Sequence, residues 1–235
     1  VIVLDQLLQG SEAWEQVRLG RATASEFDKI LTPSGAISKQ AIGYMRKLAR
    51  EVLVDNPNEW QGNRHTDWGN EHEADARRAF TDLTGLQVTQ VGFVARDDEA
   101  PVGCSPDGLI MNHAISTWSA GLELKCPAVD THVGYIMEGR LPNSYKLQVH
   151  GSMAVTGLDV WYFFSYFPGL NPFLLKVERD DFTEKVGREL DKFIVGYADE
   201  REAVKAKILP RTINEEVVEF QLPVDEPAEA DESLI

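Results

Sequence analysis

Residues 102–127 restrict what this chain can fold into more than any other stretch. The segment Val102-Gly-Cys-Ser-Pro-Asp-Gly-Leu-Ile110 runs into a polar turn containing Asn112, His113, Ser116 and Ser119. It returns as Gly121-Leu-Glu-Leu-Lys-Cys-Pro127. In the returning arm Glu123 and Lys125 alternate with Leu122 and Leu124. Successive side chains of a strand point to opposite faces, so the two charges share one face and the leucines the other. The polar turn predicts a hairpin, which sets Asp107 beside Glu123. Two close carboxylates repel, and burial raises their pKa values further unless positive charge lies between them. Oxygen-only ligands select a hard cation, Mg²⁺ or Mn²⁺. Lys125, one side chain along, can orient a water and steady charge on a phosphoryl group. A metal there can polarise a scissile phosphate. Glu-x-Lys by itself is common as a salt bridge on surface strands. Its pairing with Pro106-Asp107, and an upstream helical acid, Glu73, turn it into a constellation for phosphodiester hydrolysis.

Four segments carry a wider resemblance. They are Arg-Leu-Gly-Arg-Ala-Thr-Ala-Ser at 18–25, Trp-Gly-Asn-Glu-His-Glu-Ala-Asp-Ala-Arg at 68–77, the hairpin with Cys-Ser-Pro-Asp-Gly-Leu at 104–109 and Gly-Leu-Glu-Leu-Lys-Cys-Pro at 121–127, and Tyr-Lys-Leu-Gln-Val-His-Gly-Ser-Met at 145–153. In this order they resemble the λ-exonuclease family of YqaJ-like phage recombination nucleases, within the PD-(D/E)xK superfamily. The resemblance implies an α/β, restriction-endonuclease-like core: a mixed central sheet of about five strands flanked by helices. It implies an Mg²⁺-dependent 5′→3′ exonuclease on double-stranded DNA with free ends, releasing 5′-mononucleotides and leaving a 3′ overhang. Two ions per site are implied, held by Asp107 and Glu123 with the Leu124 carbonyl. Glu73 becomes a third carboxylate facing the metals. Gln148 matches a glutamine that approaches the site and can hold the water or the scissile phosphate, and Tyr145, three residues before it on one helix face, reads equally as a site residue or as core. Arg18, Ser25 and Ser105 match positions that bind the terminal 5′-phosphate, consistent with bidentate guanidinium pairing and uncharged hydroxyl donors. A ring-shaped homotrimer and a single-strand annealing protein are the implied partners. Two positions depart from the family pattern. Thr131 stands where an arginine would reach the phosphate, and Thr66 where a leucine wedge would split the duplex. A restriction-type endonuclease and a non-cleaving DNA-end binder are the alternatives.

Composition bears on the partner. The net charge is −15, unfavourable for a nucleic-acid binder. Eight acids and no Lys or Arg lie from Thr212 onward, leaving −7 elsewhere. The expected organisation is one nuclease domain over 1–211 and an acidic tail over 212–235, with a local basic strip meeting the DNA. No apolar run of about 18 residues suggests a membrane span. The opening Val-Ile-Val-Leu-Asp does not resemble a signal peptide, which points to the cytoplasm of a bacterial host. Cys104 and Cys126 read as reduced, packed thiols. The five histidines, His65, His72, His113, His132 and His150, lack zinc-ligand spacing.

Along the chain, Ser11 caps a helix over 12–19 stopped by Gly20. Thr23-Ala-Ser-Glu26 reads as a capping box opening a helix to about Leu31. Ser38 caps a helix to about Val54, with Ile42, Met45, Ala49 and Val52 facing inward. A helix follows from Asp67 to about Thr84, with Trp68, His72, Ala76, Ala79, Phe80 and Leu83 as its apolar stripe. Residues 86–94 read as one strand, bulged at Gly92. Helices over 130–138 and 144–156, the latter capped by Asn143, precede strands over 159–166 and 173–178. A long helix from Asp181 to about Lys207 carries Val186, Leu190, Phe193, Ile194 and Tyr197 in register.

Overall fold

The computed structural model describes residues 1–54, 64–99 and 101–209, with 64–70 placed as helix only. The acidic tail and the side chains of His65, Thr66 and Trp68 therefore lie outside the described residues.

The central sheet has five strands in the order β3 (Val88–Thr89), β6 (Gly108–Asn112), β7 (Thr117–Lys125), β8 (Val160–Ser165) and β9 (Phe173–Glu178). Strands β6 and β7 form the expected antiparallel hairpin, with Gly108 opposite Leu122. Strand β8 then pairs parallel to β7, aligning Lys125 with Ser165. A parallel neighbour needs a crossover. Here it is made by α4 (Val129–Glu138) and α5 (Asn143–Thr156). The sheet is thus mixed, and its most buried strands, β7 and β8, lie side by side.

A second sheet, absent from the sequence reading, orders β1 (Ile2–Leu4), β4 (Phe93–Ala95), β5 (Val102–Cys104) and β2 (Ala22–Thr23). The stretch 86–94 is accordingly not one strand. Its first half, β3, joins the central sheet, and its second half, β4, joins the smaller one. Gly92 sits at the switch, where a Cβ would collide with the Leu7 backbone. A glycine read as a bulge is therefore a close approach of two chain segments.

Helices α1 (Glu12–Arg18), α2 (Ala41–Leu53), α3 (Arg64–Thr84) and α6 (Asp181–Ile208) complete the fold. Ser11 caps α1 as expected, accepting from the Trp14 amide at 3.2 Å. Thr23 does not begin an α-helix. It ends β2 and is followed by a 3₁₀ segment, Ala24–Lys29, with no side-chain cap. Glu26 is drawn instead to Lys29 and Lys47, so tertiary ion pairing overrides the local box. Helix α2 starts after Gln40 rather than Ser38. Its buried face is Ala41, Tyr44, Leu48 and Ala49, while Ile42 and Val52 are exposed. On α3 Ala76 and Phe80 are buried, but Leu83 is exposed. Asn143 is the first residue of α5 rather than its cap. The register of α6 holds: Val186, Leu190, Phe193 and Tyr197 are buried, and Asp180 with Thr183 forms the capping box.

The core divides around the central sheet. On one side Phe27, Tyr44, Leu48, Leu147, Val186 and Leu190 pack beneath the smaller sheet. On the other, Ala76 and Phe80 of α3 meet Leu122, Leu124 and Phe164. The leucines of the Glu-x-Lys strand thus bury against α3, which fixes the opposite face of β7 for its charges.

Candidate active site

Glu123 projects from the middle of a strand buried on both faces, and is only 2 % exposed. An unpaired carboxylate there would be costly. Its Oε1 accepts from Lys125 Nζ and, at 2.6 Å, from Gln148 Nε2. Asp107 enters from the neighbouring strand. Its amide donates to the Leu122 carbonyl at 3.1 Å, and its Oδ2 accepts from the Leu124 amide at 2.6 Å. The hairpin therefore does what the alternation predicted: Asp107, Glu123 and Lys125 meet, and Gln148 on α5 closes over them. Leu124 takes part through its N–H.

Burial and the Glu123 charge push the Asp107 carboxyl up to about 8, against the pull of Lys125. Glu73 adds to that rise. Burial works against the Lys125 ammonium, but Glu123 and Asp107 prevail and hold its pKa above the ordinary value. Tyr145 lies below the ammonium, its ring centroid 5.0 Å from Lys125 Nζ, and packs on Phe163. It is core and cation support together.

Glu73 is half-buried on α3. Its charge reaches Asp107, but its carboxylate is bound by Arg77, one turn along the helix. It does not join the other two acids, and among the described residues no three acidic, histidine or cysteine side chains converge as a ready-made metal cluster. The pair that does converge, Asp107 and Glu123, offers hard oxygen donors, and burial and the Glu123 charge both raise the Asp107 carboxyl. These residues fit a divalent cation.

A second cluster stands beside this site, with Trp14, Arg18 and Thr23 lining a cavity of about 1320 Å³ whose wall also includes Glu73, Arg77 and Asp107. The Arg18 guanidinium lies 4.1 Å above the Trp14 ring centroid and donates to Ser105 Oγ at 3.0 Å and Thr23 Oγ1 at 3.3 Å. Trp14 Nε1 also donates to Ser105 Oγ, at 3.1 Å. Ser25 reaches this group through Thr23, hydroxyl to hydroxyl at 3.3 Å. Burial lowers the Arg18 pKa. Arg18 and Ser105 are thus joined directly and Ser25 indirectly. Trp14 was not singled out in the sequence and Thr23 was read only as a helix cap, although Trp14 stands four residues before Arg18 on α1, the spacing of helical neighbours.

Thr131 is exposed on α4. His132 and His150 are buried and bonded to Ser165 and Thr183, and His113 is exposed. Cys104 and Cys126 are free. Burial pushes the Cys104 thiol up to about 12 and that of Cys126, half-buried, to about 11. Both are therefore poor nucleophiles. Among the described residues no helix is long and apolar enough to cross a membrane.

Comparison with protein-family models matches residues 13–159 to the YqaJ-like viral recombinase domain. The chain belongs to this family. The matched span contains Arg18, the α3 acid, the hairpin and Gln148. Among solved structures, an alkaline exonuclease (LHK-Exo) from Laribacter hongkongensis aligns with 30 % identity over 84 % of this chain and 97 % of its own, with a TM-score of 0.72. The same enzyme in complex with dAMP aligns at 31 % identity, over 84 % and 97 %, with a TM-score of 0.71. A phage-related exonuclease from Haemophilus somnus 129PT shares the fold at 15 % identity, over 79 % of this chain and 96 % of its own, with a TM-score of 0.56. No curated protein matches the sequence. The family and the restriction-endonuclease-like α/β fold anticipated from the four segments are those of this chain.

Proposed function

We propose that this protein is a metal-dependent DNA exonuclease that degrades one strand of duplex DNA from its 5′ end. Released products would be 5′-mononucleotides, leaving a 3′ overhang for a single-strand annealing protein. The single observation that carries this reading is the convergence of Asp107, Glu123 and Lys125 on one face of β6 and β7, with Gln148 bonded to Glu123. Family membership and the resemblance to solved exonucleases support the substrate.

Asp107 and Glu123, with the Leu124 carbonyl, would hold Mg²⁺ or Mn²⁺, two ions being the expected number. A bound ion supplies charge neutralisation and polarisation of the phosphate. The chain supplies the rest. The Lys125 ammonium, released from Glu123, orients the attacking water and steadies charge on the phosphoryl oxygens. The Gln148 amide holds the water or a phosphate oxygen without adding charge. Tyr145 keeps Lys125 in line through its ring. Glu73 sets the negative potential of the site. In the neighbouring cluster, Arg18 and Ser105, backed by Ser25 through Thr23, would take the terminal 5′-phosphate. This grip gives the polarity. A homotrimeric ring would retain the DNA topologically, so that an acidic body need not bind it tightly.

One duplex labelled at each end, with and without a 5′-phosphate, tests the reading in Mg²⁺ and in chelator. The expected result is release of 5′ label first, dependence on Mg²⁺, and faster release with the phosphate. Release of the 3′ label first defeats the polarity, and rapid cutting of a covalently closed circle defeats the exonuclease.

A further inference from the structure

One buried charge near the site has no place in that mechanism. Arg77, on α3, has a side chain only 16 % exposed. Its guanidinium binds the Glu73 carboxylate and donates to the Asp107 carbonyl at 3.3 Å. With the Gln90 amide oriented to offer its oxygen, that oxygen accepts from both Arg77 terminal nitrogens, at 2.9 and 3.0 Å. The Nε is buried and unbonded. This is a guanidinium held at three points: a helix acid, the backbone of the Pro-Asp segment, and the residue between β3 and Val91. The same segment is tied again by Gln9, whose amide donates to the Val91 and Pro106 carbonyls at 3.0 and 2.9 Å. The three-point hold leaves Arg77 little freedom to reach DNA. Instead it links the α3 acid Glu73 to the backbone of Asp107.

We propose that Arg77, braced by Gln90, is a positioning residue that holds Glu73 at a set place beside the Asp107–Glu123 pair and fixes the Asp107 backbone. The inference rests on the nuclease reading above. Two consequences oppose each other. A positive charge beside the acids weakens their attraction for a cation. The same charge keeps the acids where turnover needs them, and small displacements there are expensive. Arg77 therefore exchanges cation affinity for rate.

The test uses the whole chain. Calorimetric titration of Mn²⁺ alone into DNA-free Arg77→Gln is expected to show binding tighter by about fivefold. Single-turnover digestion of a duplex should slow by about tenfold or more, with KM for DNA unchanged. Arg77→Lys and Gln90→Leu keep the charge but lose the hold, so parental Mn²⁺ affinity with slow digestion is expected of both. In a Glu73→Gln background, Arg77→Gln should cost much less rate than it does alone, since the two act as a unit. The proposal is overturned if Arg77→Gln weakens Mn²⁺ binding together with the thermal midpoint, which is a merely structural effect. A raised KM with intact kcat overturns it too, because Arg77 then touches DNA, and so does full additivity with Glu73→Gln. If the parental protein itself fails to digest duplex in Mn²⁺, the nuclease reading fails, and the titrations alone still decide the clamp.

Discussion

The two ends of the Ser105–Asp107 segment solve opposite electrostatic problems with similar means. At one end Asp107 and Glu123 are forced together, and their nearest cation, Lys125, is one the proposed chemistry must free. At the other end Arg18 stacks on Trp14 and holds the hydroxyls of Ser105 and Thr23, with no direct carboxylate partner for its hydrogen bonds among the described residues. The first end has surplus negative charge and suits a cation. The second is a half-desolvated cation with neutral donors around it, which suits a phosphate. Ser105 and Asp107 lie two residues apart, so one segment of chain serves both ends. The distance between the proposed phosphate grip and the proposed hydrolytic centre is therefore set by the short segment between β5 and β6.

Removing Lys125 breaks the comparison most severely. Lys125→Ala is expected to lower single-turnover digestion by on the order of 10³-fold, the scale seen when a fixed donor to a developing negative charge is lost. DNA binding in a gel-shift assay with Ca²⁺ should persist. Unchanged digestion would remove the mechanism and leave Glu123 and Lys125 as a structural salt bridge.

The phosphate end should fail more gently and more selectively. Arg18→Ala is predicted to slow digestion of a 5′-phosphorylated duplex by about 10- to 100-fold, as expected for loss of hydrogen bonds to a charged group. The same duplex ending in a 5′-hydroxyl should change little. Ser25→Ala, acting only through Thr23, should cost no more than a few-fold. An equal loss on both substrates would mean that Arg18 supports the fold through Trp14 and not the phosphate.

How far these ends were legible in the sequence follows from how local their causes are. The Asp107–Glu123 hairpin was legible because strand alternation and a polar turn are local, and they fix which side chains share a face. The long α6 was legible for the same reason, with its cap at Asp180 only one residue from the expected start. The stretch 86–94 misled because each half has strand composition. Its division between two sheets depends on Leu7, more than eighty residues away in sequence. Thr23-Ala-Ser-Glu26 misled because Glu26 has stronger partners in Lys29 and Lys47, and Lys47 arrives from α2. Arg77 could have been paired with Glu73 from its spacing of four, but nothing local indicates that its guanidinium also reaches the Asp107 carbonyl.

The smallest effect sharpens the contrast without touching activity. In cation-free protein the Asp107 carboxyl is held up at about 8 by burial and by Glu123, well above its unfolded value. A raised pKa means that the folded state binds the proton more tightly than the unfolded chain does. The stabilisation is complete below the unfolded pKa and is lost as pH climbs through the folded one. In chelator, the thermal midpoint should therefore carry a component that falls between about pH 4 and pH 8. Asp107→Asn, which cannot titrate, should lack that component over the same window. Saturating Mg²⁺ should flatten the slope in the parent, because a cation then takes the place of the proton between the two acids. The Arg18 end carries no such pH term, since guanidinium remains charged throughout this range. Arg18→Ala should therefore shift the whole curve without changing its slope. If instead Asp107→Asn and the parent fall in parallel, the carboxyls of Asp107 and Glu123 are not held close enough to compete for one positive charge. The distinction between the acid pair and the Arg18 cluster would then be lost.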